Sequence, residues 1–117
     1  NFLNKFYSNK KRIKLSQLQF GKGSIQGKHD AIILVNWIHK VPNDILQNSL
    51  KDFYRNNLNP GGEIIIDSIS GGKDVYPYQH DFKKINEYLS CDMKLIGNYS
   101  MGKNQDIIRK TASFIKN

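Results

Sequence analysis

The sequence predicts an α/β domain built on a mostly parallel sheet, and three observations carry that expectation. Ala31 to Val35 (AIILV) is an unbroken apolar run, and Glu63 to Asp67 (EIIID) is centred on a second. Short runs rich in β-branched residues suit strands covered on both faces, as in parallel sheets flanked by helices. The segment between them is long enough for a crossover helix, so strand, helix and strand read as one right-handed βαβ unit. Toward the end of the chain, two further strand-like stretches are separated by a short polar turn containing Gly102, which reads as an antiparallel hairpin.

Taken in order, Phe2, Leu3, Phe6 and Tyr7 recur at helical spacing, so Asn1 to Asn9 reads as the end of a helix. The chain begins at Asn1 without a methionine and enters directly into that segment. This predicts that an earlier part of the domain is missing. Leu15 to Phe20 is a weak strand followed by turn residues Gly21, Gly23 and Gly27. Ala31 to Asn36 is the strongest strand. Pro42 suits the first turn of a helix, where its missing N–H costs nothing. Ile45, Leu46, Leu50, Phe53, Tyr54 and Leu58 then mark one apolar face. Asn59-Pro60-Gly61-Gly62 should end that helix, because proline cannot continue it and glycine accepts a left-handed turn. Glu63 to Ser68 is the next strand. After Gly71-Gly72 and Tyr76-Pro77-Tyr78, a helix is expected over Gln79 to Ser90, with Phe82, Ile85 and Leu89 inward. Met93 to Tyr99 and Asp106 to Ile115 complete the hairpin.

The 117 residues suffice for one small domain with a single core, and no repeat or linker divides them. No run of about 18 apolar residues is present, so no membrane span is expected. The single cysteine, Cys91, has neither an internal disulfide partner nor a metal-ligand cluster beside it. A reducing cytoplasm is the expected home, and no metal is expected. Eighteen Lys and Arg stand against ten Asp and Glu. The lysines are scattered apart from Lys10-Lys11-Arg12, and no nucleic-acid motif accompanies them, so no nucleic-acid partner is expected. A basic surface of this kind favours an anionic substrate.

Several features together resemble a known family. A Gly-x-x-Asp-x-Ile lead-in (Gly27 to Ile32) precedes a strand that ends in Asn36-Trp37-Ile38-His39-Lys40-Val41. Leu58-Asn59-Pro60-Gly61-Gly62 precedes a strand ending in Asp67. With the closing helix and hairpin, the chain is similar to the C-terminal two-thirds of a class I S-adenosylmethionine-dependent methyltransferase. The resemblance implies a Rossmann-like sheet of seven strands in the order 3-2-1-4-5-7-6. Leu15 to Phe20 would then be strand 3, Ala31 to Asn36 strand 4 and Glu63 to Ser68 strand 5, with the hairpin supplying strands 6 and 7. The first two strands would be missing, together with the Gly-rich loop and the ribose-binding acid. A preceding segment or a partner chain would have to supply them. The sequence contains no G-x-G-x-G, and the G-x-G of Phe20 to Ser24 does not open a helix.

The resemblance also implies a site at the carboxyl ends of the strands, where ligands collect in such sheets. Asn36 and Trp37, at the strand-4 exit, would face the methionine end of S-adenosylmethionine. Ser24 and the backbone of Ile25 would stand where family members contact adenine. Asp67, Tyr76 and Tyr78 would border the substrate. His39, and after it His80, are the candidate general bases if the acceptor is a hydroxyl. Each also has a plainer reading, as a strand cap, a core aromatic or a loop hydrogen-bonding group. The expected activity is methyl transfer to a small-molecule acceptor, within a larger chain or complex. A non-catalytic methyltransferase-like partner subunit, and another Rossmann-type nucleotide-dependent enzyme, remain alternatives.

Overall fold

The computed structural model describes residues 25–117. The helix expected over Asn1 to Asn9, the strand Leu15 to Phe20 and the adenine candidate Ser24 lie outside them. The described residues form a four-stranded mixed sheet with two α-helices. The strands are β1 (His29–Leu34), β2 (Leu58–Ser70), β3 (Asp92–Met101) and β4 (Ile107–Ile115), and the helices are α1 (Asn43–Asp52) and α2 (Phe82–Leu89). The sheet order is β1-β2-β4-β3. β1 runs parallel to β2, while β4 is antiparallel to both β2 and β3. This is the 4-5-7-6 order that the resemblance implied, with the parallel βαβ unit and the terminal hairpin both in place.

Registry explains which residues are buried. Ile32 pairs with Ile64 and Leu34 with Ile66, and those two pair in turn with Phe114 and Ala112 across β4. One face of the pleat is therefore apolar along three strands. Both helices contribute to the core on that face. Leu46, Leu50 and Phe53 follow one stripe, and Phe82, Ile85 and Leu89 follow the other. Phe82 meets Phe114 edge to face, with centroids 5.7 Å apart.

The helix ends differ from the sequence expectation in instructive ways. α1 does not run regularly to Leu58 but widens into a π-helical turn over Phe53–Asn57. Groups distant in sequence secure that turn. Lys116 Nζ donates to the carbonyls of Tyr54 and Leu58 at 2.7 and 2.9 Å. Asn57 Nδ2 donates to the carbonyls of Ile25 and Gly27, both at 2.8 Å. The Pro-Gly-Gly stretch does not stand outside β2 as a free turn. It lies within the strand, where Gly61 N–H donates to Lys116 O and Lys116 N–H donates to Gly62 O. A Cβ on Gly62 would stand 2.8 Å from Asp30 O and 2.9 Å from Asn59 O, so the close approach of β1 requires glycine there. α2 begins at Phe82 rather than Gln79. Asp81 caps it by accepting from Lys83 N–H at 3.0 Å, and Ser90 ends it in a left-handed conformation.

Candidate functional site

The strand exits of β1 and β2 meet in one polar cluster. β1 ends at Leu34, and Asn36 then takes a left-handed φ of 56°. Asp67 holds that turn, since Asn36 N–H donates to Asp67 Oδ1 at 2.8 Å. A non-glycine residue in this conformation is uncommon, and asparagine tolerates it best. The turn leaves the Asn36 side chain exposed and feeds the chain into a 3₁₀ turn over Ile38–Lys40. Asp67 is thus tied to the backbone of the first strand exit. Its second oxygen lies 3.2 Å from Arg109 Nη1 on β4. That contact is off the hydrogen-bonding direction and leaves Asp67 Oδ2 buried without a hydrogen-bond partner; Arg109 Nε is buried without one as well.

His39 sits beside this pair with only 5% of its surface exposed. Its ring meets the Tyr76 ring edge to face at 5.1 Å. Burial pushes its pKa below the ordinary value of 6.5, and Lys40, Arg109 and His80 push the same way, while Asp67 opposes them. The imidazole is therefore neutral at pH 7, as a proton acceptor must be. Its Nδ1 has no hydrogen-bond partner. In the tautomer protonated at Nε2, that nitrogen carries a free lone pair.

His80 is engaged differently. Its Nε2–H donates to Val41 O at 2.7 Å, and its own carbonyl accepts from Ser68 Oγ at 2.8 Å. It clamps the loop after β2 to the turn after β1. Burial lowers its pKa despite the backbone carbonyls of Val41 and Ile38. Two clefts of about 270 and 300 Å³ meet at Gln79, His80 and Asp81. One opens between the helices toward Tyr88, and the other lies along Ser68 and Lys110. Tyr76 packs on His39, whereas Tyr78 is largely exposed, and neither lines the clefts.

The structure brings together Asn36, His39, Asp67 and Tyr76, and joins His80 to them through Val41. Trp37 packs on Phe53 with centroids 6.2 Å apart, and its buried Nε1 has no partner. Ile25 is not brought to this cluster. Its carbonyl is held by Asn57 before the start of β2, at the opposite, amino-terminal end of the strands. His29, bonded to Gln26 O, lies at that same end. Sequence reasoning missed Arg109 and Gln79. Arg109 reaches Asp67 only through the register of β4 on β2. Gln79 donates to the carbonyl of Gly71 at 2.8 Å and that of Tyr76 at 3.3 Å, holding the loop in which Tyr76 lies. No cluster of metal-ligating side chains occurs among the described residues, and none of their helices is long and apolar enough to cross a membrane.

Comparison with known proteins places this geometry. No family model matches the sequence, and no curated protein matches it. Solved structures do. The N-methyltransferase NodS from Bradyrhizobium japonicum WM9, in complex with S-adenosyl-L-homocysteine, matches with a TM-score of 0.62 at 10% identity, covering 97% of this chain. TehB from Haemophilus influenzae matches with a TM-score of 0.63 at 17% identity over 99% of this chain. A methyltransferase from Pyrococcus furiosus matches with a TM-score of 0.52 at 21% identity over 82%. The chain spans 59%, 46% and 45% of those three chains respectively. At these identities the likeness is one of fold, and the fold is that of the class I S-adenosylmethionine-dependent methyltransferases.

Proposed function

We propose that this chain carries the acceptor side of an S-adenosylmethionine-dependent methyltransferase acting on a small molecule. The observation that supports this most is the cluster of Asn36, His39 and Asp67 at the carboxyl ends of β1 and β2, where ligands of such sheets bind. The cofactor fits the residues present at its methionine end. The exposed Asn36 side chain offers both a donor and an acceptor there, and Trp37 carries an unpartnered indole N–H. When bound, the cofactor supplies an electrophilic methyl group on a sulfonium.

The chain's own residues then have three tasks. Asn36 and Trp37 hold the methionine end. Tyr76 and the loop stapled by Gln79 border the acceptor, with Tyr78 at the rim. Neutral His39 takes the proton of a hydroxyl acceptor, which needs a base, whereas an amine or thiolate needs only alignment. His80 is proposed to position this turn through Val41 rather than to move a proton, because its Nε2–H is already committed. No G-x-G-x-G loop occurs in these 117 residues, so the Gly-rich loop and the ribose acid belong to another segment or a partner chain in this proposal. Ile33 and Val35 support it. They are 64% and 55% exposed beside β1, on the edge strand of the described sheet. The proposed compartment is the cytoplasm, which suits the free thiol of Cys91.

The test is release of S-adenosylhomocysteine from S-adenosylmethionine across a panel of small hydroxyl, amine and carboxylate compounds, with and without the segment supplying the Gly-rich loop. Release that needs both an acceptor and Asn36 supports the proposal. Tight binding of a different nucleotide cofactor, with no release from any acceptor, would rule it out.

A further inference from the structure

β3 is an edge strand whose composition does not suit an edge. Among the described residues it pairs with β4 alone, so the outer row of its backbone N–H and C=O groups is unpaired along a ten-residue strand. None of its residues is buried, yet Met93, Leu95, Ile96 and Tyr99 are apolar or aromatic and 40%, 51%, 50% and 52% exposed. Soluble proteins usually blunt such an edge with proline, several charges or a very short strand. β3 has no proline, and its charges are Asp92 and Lys94. The apolar side chains stand on both faces of the sheet. Met93 and Leu95 pair with Phe114 and Ala112, on the face that carries the helices. A β-bulge between Leu95 and Gly97 shifts the alternation, so Tyr99 pairs with Arg109 and stands on the opposite face. A helix or loop laid on one face would leave the other bare, whereas a strand added at the edge covers both.

We infer that this edge pairs antiparallel with the β3 edge of a second copy of the chain, continuing the sheet through a two-fold axis. Such an interface must be self-complementary. β3 meets that condition with the axis between Ile96 and Gly97, which sets the whole strand against itself. Asp92 then faces Met101, Met93 faces Ser100, Lys94 faces Tyr99 and Leu95 faces Asn98. Because the bulge has shifted the alternation between the two halves, the members of each of these pairs stand on the same face of the sheet. Both charges meet uncharged partners, and Lys94 lies against the Tyr99 ring, so no like charges are opposed. The contact is small, below about 1,200 Å² in total, which is the size of reversible associations. The other edge, β1, is the one given above to the segment or chain carrying the Gly-rich loop, so the two contacts do not compete. The inference does not depend on the methyl-transfer reading.

The experiment is analytical ultracentrifugation of the intact 117-residue chain from about 5 to 500 µM, the range in which a contact of this size associates. Tyr99→Lys sets a like charge opposite Lys94 of the second copy, and Tyr99→Glu sets an opposite one. Ile33→Lys is the control on the other edge. Position 99 is exposed, and urea unfolding checks that each variant keeps its fold. The expected result is a reversible monomer–dimer equilibrium that Tyr99→Lys weakens by about tenfold or more, that Tyr99→Glu preserves and that Ile33→Lys leaves unchanged. In the unsubstituted chain, amide hydrogen exchange should slow with concentration along Asp92–Met101 and not along β1. A chain that stays monomeric throughout, a dimer equally tolerant of lysine and glutamate at position 99, or concentration-dependent protection confined to β1 would each overturn the inference. If a variant fails to fold, the exchange pattern of the unsubstituted chain decides.

Discussion

Asp67 shows how much one side chain decides at this site. It bonds the backbone of Asn36 and lies against Arg109, joining three elements that are far apart in sequence. Asp67→Asn keeps an oxygen for the Asn36 N–H but removes the negative charge beside a largely buried guanidinium. The expected cost is about 3 kcal/mol, the usual penalty for stranding one member of a buried pair, read from urea unfolding. A change within experimental error would show that Arg109 finds another partner. His39 carries a separate expectation. For a hydroxyl acceptor, His39→Ala lowers turnover by about 10²–10⁴, and the wild-type rate falls on the acid side of 6.5, where the base becomes protonated. His80→Ala should instead leave the shape of the pH profile intact while weakening turnover, because its Nε2 is spent on Val41. An unchanged rate and profile in His39→Ala would reduce that residue to packing against Tyr76.

At the scale of elements, the apolar periodicities were legible and the ends were not. AIILV marked β1, and the hairpin expected over Met93 to Tyr99 and Asp106 to Ile115 is present as β3 and β4, within about two residues at each end. β1 starts at His29, earlier than expected, because β2 reaches back to pair Leu58 with His29. Its exit was legible as a polar strand end, but the left-handed turn at Asn36 depends on Asp67, 31 residues away. The regular helix expected to Leu58 stops at Asp52, since the following carbonyls are held by Lys116, a contact no local pattern encodes. Gly62 was legible as a turn glycine, yet its role is to admit the backbone of Asp30. Gly62→Ala should therefore destabilise by about 1–3 kcal/mol through overpacking, measured as a lower urea midpoint with an unchanged m-value. Gly61, with nothing near its Cβ direction, provides the contrast: any cost there comes from its φ of 80° and not from a clash.

Across the whole molecule, two neutral histidines in the same region couple stability to pH. Burial lowers the folded pKa of both His39 and His80 below the ordinary 6.5. The unfolded chain then binds more protons than the folded chain once the pH drops below that value. Stability is fully present above 6.5 and is lost as the pH falls through the lower folded values. Urea unfolding on either side of 6.5 should show this slope, and His39→Gln should flatten part of it. Stability that rises on acidification would contradict the neutral, buried assignment. The βαβ unit and the hairpin were legible from their apolar patterns, whereas the order that places β4 between β2 and β3 was implied by the family resemblance. Arg109 was not legible, because its place beside Asp67 depends on long-range register.

The central claim is that ligand chemistry gathers at the exits of β1 and β2. Chemical-shift mapping of the 117-residue chain with S-adenosylhomocysteine tests it most directly, since even weak binding is visible. The expected result is saturable movement of the Asn36 and Trp37 amides, the Trp37 indole N–H and the His39 ring, with Ile25 and His29 unmoved at the far end of the strands. Movement confined to Ile25, His29 and the amino-terminal end of β1, or no movement at all at saturating ligand, would contradict it.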